Sequence, residues 1–210
     1  MVRIMIISLL TIVSFLLNAQ TINTNALDSL FEVLEQNEKA MGSIAIGTED
    51  SILYQKAIGW ADIEAQIEAT PDTKYRIGSV TKTFTAVLTI QQVEAGKLKL
   101  STPLSNFFPA IPNADSITVE HLLRHQSGIF NMTSEFSYTT WMHEQTSRES
   151  LIEKIASYQS VFEPGSQSAY SNSNFILLTF ILEDVSGKTY AQLLQDSICT
   201  PCQLQSTYVG

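Results

Sequence analysis

Ile77-Gly78-Ser79-Val80-Thr81-Lys82-Thr83-Phe84-Thr85-Ala86, "IGSVTKTFTA", places a serine three residues before a lysine where the pattern turns helical. Residues i and i+3 share a helix face, so Ser79 and Lys82 can touch. A serine in a first helical turn also meets the positive end of the helix dipole, which favours a developing alkoxide. Amides of that turn have no partner inside the helix, which leaves the Ser79 N–H to donate to an oxyanion. Lys82, if buried, would itself lose its proton more readily or would hold a neighbouring group deprotonated. The same spacing also describes an N-cap serine followed by a snorkelling lysine. With 23 serines and 8 lysines in 210 residues, chance alone gives about one Ser-x-x-Lys. The spacing by itself decides nothing.

Reading outward, the segment continues with Phe84, Ala86, Val87, Leu88, Ile90 and Val93 and stops at Gly96-Lys97. A helix apolar nearly all round is expected to be buried. Much further on, "AYSNSNF" holds Tyr170-Ser171-Asn172, the single Tyr-x-Asn of the chain. From its 7 tyrosines and 9 asparagines, chance gives about 0.3 of these. It stands just before the apolar helical run Phe175–Val185, in a loop suited to presenting side chains. A tyrosine near an ammonium can act as a base, and an asparagine amide can orient a carbonyl. The competing reading is a turn tyrosine with Asn172 capping the next helix.

The remaining pattern is two strands and several helices. Asn25–Ala40 reads as an amphipathic helix with Leu27, Leu30, Phe31 and Leu34 on one face. Ser43–Gly47 and Ile52–Trp60 read as a hairpin around "TEDS", and a polar connection then leads to Ser79. Thr118 caps a short helix stopped by Gly128, Ser147–Tyr158 is another, and Tyr190–Ile198 is the last. A lone hairpin is marginal in water, so further strands are expected somewhere. None reads convincingly before Gly210.

Composition narrows the function. At 210 residues and 44% hydrophobic, the chain can bury a sizeable core. Its net charge of −9 and lack of any basic cluster argue against nucleic acid or an anionic membrane as partner. Met1-Val2-Arg3, the apolar run Ile4–Leu17 and Asn18-Ala19-Gln20 have the layout of a secretory signal peptide over residues 1–19. The run is short for a membrane span, so a secreted or periplasmic protein is expected, with no membrane after cleavage and an uncleaved anchor as the main rival reading. The two cysteines, Cys199 and Cys202 in "CTPC", end a helix near the C-terminus. A thioredoxin-like pair belongs early in a βαβ unit, so a redox role is set aside, and whether the two form a disulfide stays open. His121, His125 and His143 lack metal spacing, so no metal or cofactor is expected.

The order and context of these segments resemble the serine β-lactamase and penicillin-binding-protein superfamily. The likeness is nearest to its class C β-lactamase, D-aminopeptidase and esterase-like branch. It covers roughly residues 44–208 and rests on "ILYQKAIGWAD", "TKYRIGSVTKTFTA", "VEAGKLKLSTPLSNFFP", "ITVEHLLRHQSGI", "FEPGSQSAYSNSNF" and "LEDVSGKTYAQLL". Several linked motifs in one order are far more specific than Ser-x-x-Lys. The resemblance implies an α+β fold of the β-lactamase/transpeptidase type, a helical region beside an antiparallel sheet. It implies Ser79 as the acylated nucleophile, Lys82 as its proton partner and Tyr170 as the base that activates Ser79 and later the deacylating water. Asn172 would hydrogen-bond the substrate's amide. Whether Lys82 or Tyr170 takes the first proton is left open, and they are treated as a coupled pair. "LLRHQSG" matches a structural motif, so His125 is read as structural. No G-x-S-x-G elbow occurs, against an α/β-hydrolase triad.

The family's third element, a Lys/His-x-Gly on a late strand, has no counterpart after Tyr170. Cys202-Gln203-Leu204 also replace the usual residues of a Pro-Leu-Gly-Met region. The simplest expectation is that residues 20–210 are the N-terminal portion of such a domain, without its C-terminal strands and helix. That portion would show only the first hairpin of the sheet, with an exposed edge and an open half-site. A closed sheet of four or more strands would contradict this. The expected function is a secreted serine hydrolase working through an acyl-serine intermediate on β-lactams, D-amino-acid peptides or small esters. A penicillin-binding or sensor protein that does not turn over, and an inactive truncated fragment, are the alternatives. The substrate would be a small molecule or peptide, and the oligomeric state is not readable.

Overall fold

The computed structural model describes residues 22–209, so the signal-peptide reading of residues 1–19 lies outside the described residues. The described residues divide into two compact units that part between Tyr75 and Arg76.

In the first unit, helix α1 (Thr24–Gln36) opens on Asn23, whose side chain accepts from the Ala26 N–H. Strands β1 (Gly42–Gly47) and β2 (Ile52–Ile58) pair antiparallel, Gly42 opposite Ile58 and Ile46 opposite Tyr54. The helix is tied to β2 by Asp28, whose carboxylate accepts from Tyr54 Oη at 3.0 Å and Lys56 Nζ at 3.1 Å. Phe31 stacks on Tyr54 beside this pair. The predicted strand Ile52–Trp60 is in fact broken at Gly59. There φ is +70°, and a Cβ would meet Met41 Cγ at 2.5 Å, so the turn and the close approach both require glycine. Beyond it β3 (Trp60–Asp62) pairs with β4 (Ile67–Glu68) inside the segment read as a polar connection. Short two-residue pairings leave no alternation to read. Among the described residues no sheet exceeds two strands, and the two ribbons are separate.

The second unit is helical. A 3₁₀ turn, Gly78–Val80, feeds α2 (Thr81–Glu94). It is followed by α3 (Val119–Leu123), α4 (Tyr138–Trp141), α5 (Arg148–Ser157), α6 (Asn172–Ser186) and α7 (Tyr190–Leu194), which runs into a π turn, Gln195–Cys199. Helix α6 is the axis of this unit. It buries Ser173, Asn174, Leu177, Leu178, Ile181 and Leu182, two adjacent stripes at helical spacing. It ends at Gly187, in the left-handed conformation that caps helices. One core forms where Leu177, Leu178 and Ile181 meet Leu104, Ile117, Val119, Leu122 and Ile155. A second joins Leu182 to Leu88, Leu193, Leu194, Ile198 and Cys199.

Helix α2 departs from the reading of all-round burial. Its buried face carries Thr85, Leu88, Thr89 and Gln92, while Val87 and Ile90 are exposed. The threonines can be buried because their hydroxyls bond the carbonyls four residues back, Thr85 to Thr81 and Thr89 to Thr85. Thr85 also meets Tyr190 Oη at 2.8 Å. The Thr118 cap is present as read, as a reciprocal box with His121. The helices predicted over 147–158 and 175–185 are α5 and α6, with shifted ends. Cys199 is buried and Cys202 exposed, both as free thiols.

Candidate active site

Gly78, at φ +52°, takes a backbone that costs other residues steric strain and turns the chain into the 3₁₀ turn carrying Ser79. Ser79 therefore sits just ahead of α2, not inside its first turn. Among the described residues its N–H makes no hydrogen bond, as expected of an amide at a helix entrance. One turn on, Lys82 reaches back and donates to Ser79 Oγ at 3.2 Å.

Tyr170 comes from the strip 165–171, which is laid against residues 124–130. Gly165 N–H donates to Gln126 O, Ala169 N–H to His125 O, and Ser168 Oγ to Arg124 O. Gly128, at the bend of that second segment, has no room for a side chain, since a Cβ would lie 2.0 Å from Phe162 O. The strip runs into α6 at Asn172, whose N–H donates to Asn131 Oδ1 at 2.9 Å. Two buried polar groups fix that junction. Ser173 Oγ donates to Phe130 O at 2.7 Å and accepts from Met132 N–H, and Asn174 Oδ1 accepts from Ser127 Oγ at 2.7 Å. Buried polar groups with partners set one register where apolar packing would tolerate slippage.

These two elements bring all four sequence-predicted residues together. Ser79 Oγ and Tyr170 Oη are 2.8 Å apart. Lys82 Nζ donates to Asn172 Oδ1 at 2.7 Å and stands 4.9 Å from the Tyr170 ring centre. Tyr170 Oη donates to Asn172 Oδ1 at 3.2 Å. A phenol has one proton, so with that proton on Asn172 it is Ser79 that donates to Tyr170. The Ser79 proton thus already points at the tyrosine oxygen, while the Lys82 ammonium occupies a lone pair of Ser79. Among the described residues no carboxylate pairs with Lys82. Lys82 pulls the Tyr170 phenol below its ordinary value, helped by the Ser79 hydroxyl and opposed by partial burial. Half of Tyr170 is solvent-exposed, so the group is open to an incoming molecule.

Asn172 is more constrained than its sequence role suggests. Its Nδ2 donates to Thr133 Oγ1 at 2.7 Å, and Thr133 donates in turn to Asn131 Oδ1 at 3.0 Å. That chain fixes the amide with its oxygen toward Lys82. One Nδ2 hydrogen remains for a ligand. Asn131 and Thr133 were not found by sequence reading, because a motif has to be local and these lie about forty residues upstream of Asn172. The one available signal was the run of small polar residues, "SNSN", ahead of an apolar helix, which marks polar side chains that need buried partners.

Other features do not join this group. Among the described residues no cluster of three His, Cys, Asp or Glu could hold a metal, and no helix is long and apolar enough to cross a membrane. A hollow of about 940 Å³ in the first unit is lined by Met41, Ile58, Trp60 and Ile63 among others. It contains none of the four residues, and the hydrogen-bonded group at Ser79 is where chemistry can occur.

Similarity to known proteins runs along the same span. The chain is 27% identical over 186 residues to a penicillin-binding protein of Bacillus subtilis, strain 168, covering 87% of this chain and 41% of that one. It is 29% identical over 170 residues to a teichoic acid D-alanine hydrolase of Staphylococcus aureus, strain MRSA252, covering 81% and 41%. The crystal structure of a penicillin-binding protein from Bacillus halodurans superposes with a TM-score of 0.73 at 27% identity, over 86% of this chain and 57% of that one. The chain thus spans about two fifths of the length of these curated relatives. Its fold is the β-lactamase/transpeptidase fold, mixed helix with small antiparallel ribbons. The family model described as Beta-lactamase matches residues 27–210, and the chain belongs to that family.

Proposed function

We propose that this chain carries the nucleophile-bearing part of a secreted serine hydrolase that works through a covalent acyl-serine intermediate. The observation that carries this reading is the 2.8 Å contact between Ser79 Oγ and Tyr170 Oη, with Lys82 bonded to Ser79. As Ser79 Oγ attacks a carbonyl carbon, its proton passes to Tyr170 Oη, which acts as the phenolate that the Lys82 ammonium favours, and the negative charge moves to the carbonyl oxygen. The Ser79 N–H is placed to donate to the resulting oxyanion. Collapse of the tetrahedral intermediate takes the proton from Tyr170 to the leaving amine or alkoxide and leaves an ester on Ser79. Water, losing its proton to the Tyr170 phenolate, then attacks that ester; the ester bond breaks, the carboxylic acid leaves, and the proton returns from Tyr170 to Ser79 Oγ. Asn172 holds Lys82 in place, and its remaining amide hydrogen is available to the substrate.

β-Lactams, D-amino-acid peptides or amides, and small esters all present the carbonyl this sequence of steps needs. The names of the relatives, penicillin-binding and D-alanine hydrolase, support acyl groups of that class. Residues 20–210 are proposed as the N-terminal portion of the domain, exported by a signal over residues 1–19. N-terminal sequencing of material secreted by an expressing host should begin at residue 20, and retention of Met1 would contradict export with cleavage.

Intact-mass measurement after incubation with a β-lactam and with an activated fluorophosphonate tests the chemistry. Mass gain on Ser79 followed by hydrolysis of the β-lactam supports the hydrolase. A stable β-lactam adduct without turnover assigns the chain to a penicillin binder, and no adduct with either reagent to an inactive fragment.

A further inference from the structure

His125 is a polar ring in an apolar setting that the proposed chemistry does not use. It leaves α3 with φ +55°, a left-handed conformation that few side chains other than Asn, Asp and His adopt. The ring then packs against Tyr170, centres 4.7 Å apart, and against Phe175 at 5.1 Å. Its Nδ1 accepts the N–H of Ser171 at 3.2 Å, and its carbonyl accepts the N–H of Ala169 at 2.9 Å. One residue therefore holds the strip at Ala169 and Ser171 and supports the ring between them. An Nδ1 that accepts cannot carry a proton, so the imidazole is neutral with its hydrogen on Nε2.

We propose that His125 is a positioning residue for Tyr170 and Asn172, and that it holds them only while its ring is neutral. Protonation would place an Nδ1–H against the Ser171 N–H and replace a hydrogen bond with two opposed donors. It would also set a second positive charge near Lys82. The groups that face His125 are Lys82 from α2 and Tyr170 from the strip, and Phe175 from α6 brings no charge. Arg124, next to it in the chain, is paired with Glu120 at 2.9 Å. Among the described residues no carboxylate thus offsets the charge at this point. Burial first, and then the Lys82 charge, push the imidazole below its ordinary value. This proposal rests on the reading of Tyr170 as the base.

Two losses of one proton are then needed for full reactivity, one from Tyr170 and one from His125. The logarithm of the Ser79 labelling rate should rise with pH at unit slope where only Tyr170 limits it. Toward the acid side of the ordinary histidine value the slope should steepen to about two. His125→Asn keeps an acceptor and tolerates the left-handed backbone, but it does not titrate. It should restore unit slope over the whole acid range. His125→Leu loses the acceptor and should slow labelling about 100-fold at pH values where the natural ring is neutral, a loss that His125→Asn recovers at least in part. A slope of one throughout in the natural protein, or a slope of two that survives in His125→Asn, overturns the proposal.

A second readout does not depend on labelling. In ¹⁵N spectra His125 should show its proton on Nε2 at neutral pH, and the Ser171 amide resonance should move with the same midpoint as the His125 ring. An Nδ1–H tautomer, or a Ser171 amide that ignores that titration, also overturns it. If Ser79 is never labelled at any pH, the hydrolase reading falls, and the resonance measurement alone judges His125.

Discussion

Ser79, Lys82, Tyr170 and Asn172 form a connected set of hydrogen bonds. The consequence with the clearest sign concerns pH. Lys82 favours the Tyr170 anion, and a base must be deprotonated to act. Reactivity of Ser79 should therefore fall as pH drops through the titration of Tyr170, at a point below the ordinary phenol value. Lys82→Met removes the charge, so the same fall should move up toward about pH 10. A rate profile unmoved by that substitution would show that the ammonium does not govern the tyrosine. At this scale the sequence was unusually legible. Ser-x-x-Lys is local, and Tyr-x-Asn is local, so each leaves a trace in the chain. Thr133 and Asn131, which aim the Asn172 amide, leave none. Their spacing to Asn172 is set by the fold and not by any turn of helix.

The elements explain how residues 91 positions apart meet. The 3₁₀ turn ahead of α2 offers Ser79, and the strip ahead of α6 offers Tyr170, so the site lies where two segments enter their helices. The strip depends on the bend at Gly128, which allows residues 124–130 to lie under it. Gly128→Ala sets a Cβ into Phe162 O and strains a φ of +74°. It should cost at least about 2 kcal/mol of stability, read as a lowered denaturation midpoint with unchanged slope. An unchanged midpoint would mean that the bend does not pack as described. Helix existence was readable from apolar spacing, but element ends were not. The strand expected through Trp60 breaks at Gly59 because of Met41, which lies 18 residues earlier. The face that α2 buries was misread for a related reason. Threonines that bond their own helix can sit in a core, which apolar counting cannot foresee.

For the whole molecule, the helical unit carries a core of its own through α6, and the site is built within that unit. Leu178 is fully buried in that core, so Leu178→Ala should cost about 2–5 kcal/mol. Chemical denaturation of the chain should show that loss. A cost within experimental error would place Leu178 outside a packed interior. The first unit has two-stranded ribbons and exposes Leu53, Trp60, Ile63 and Ile67. The expectation of a hairpin without a wider sheet agrees with the described residues. It followed from the shortage of strand-like segments after the hairpin read over Ser43–Gly47 and Ile52–Trp60, not from the family resemblance alone.

The central claim is that Ser79 is a nucleophile activated by Tyr170, and site-mapped labelling tests it most directly. The chain and its Tyr170→Phe variant are each treated with an activated fluorophosphonate, the rates measured, and the modified peptide located by mass spectrometry. The account predicts a single label on Ser79, formed about 10²–10⁴-fold more slowly in Tyr170→Phe. A label on another residue, or equal rates in the two proteins, would contradict it.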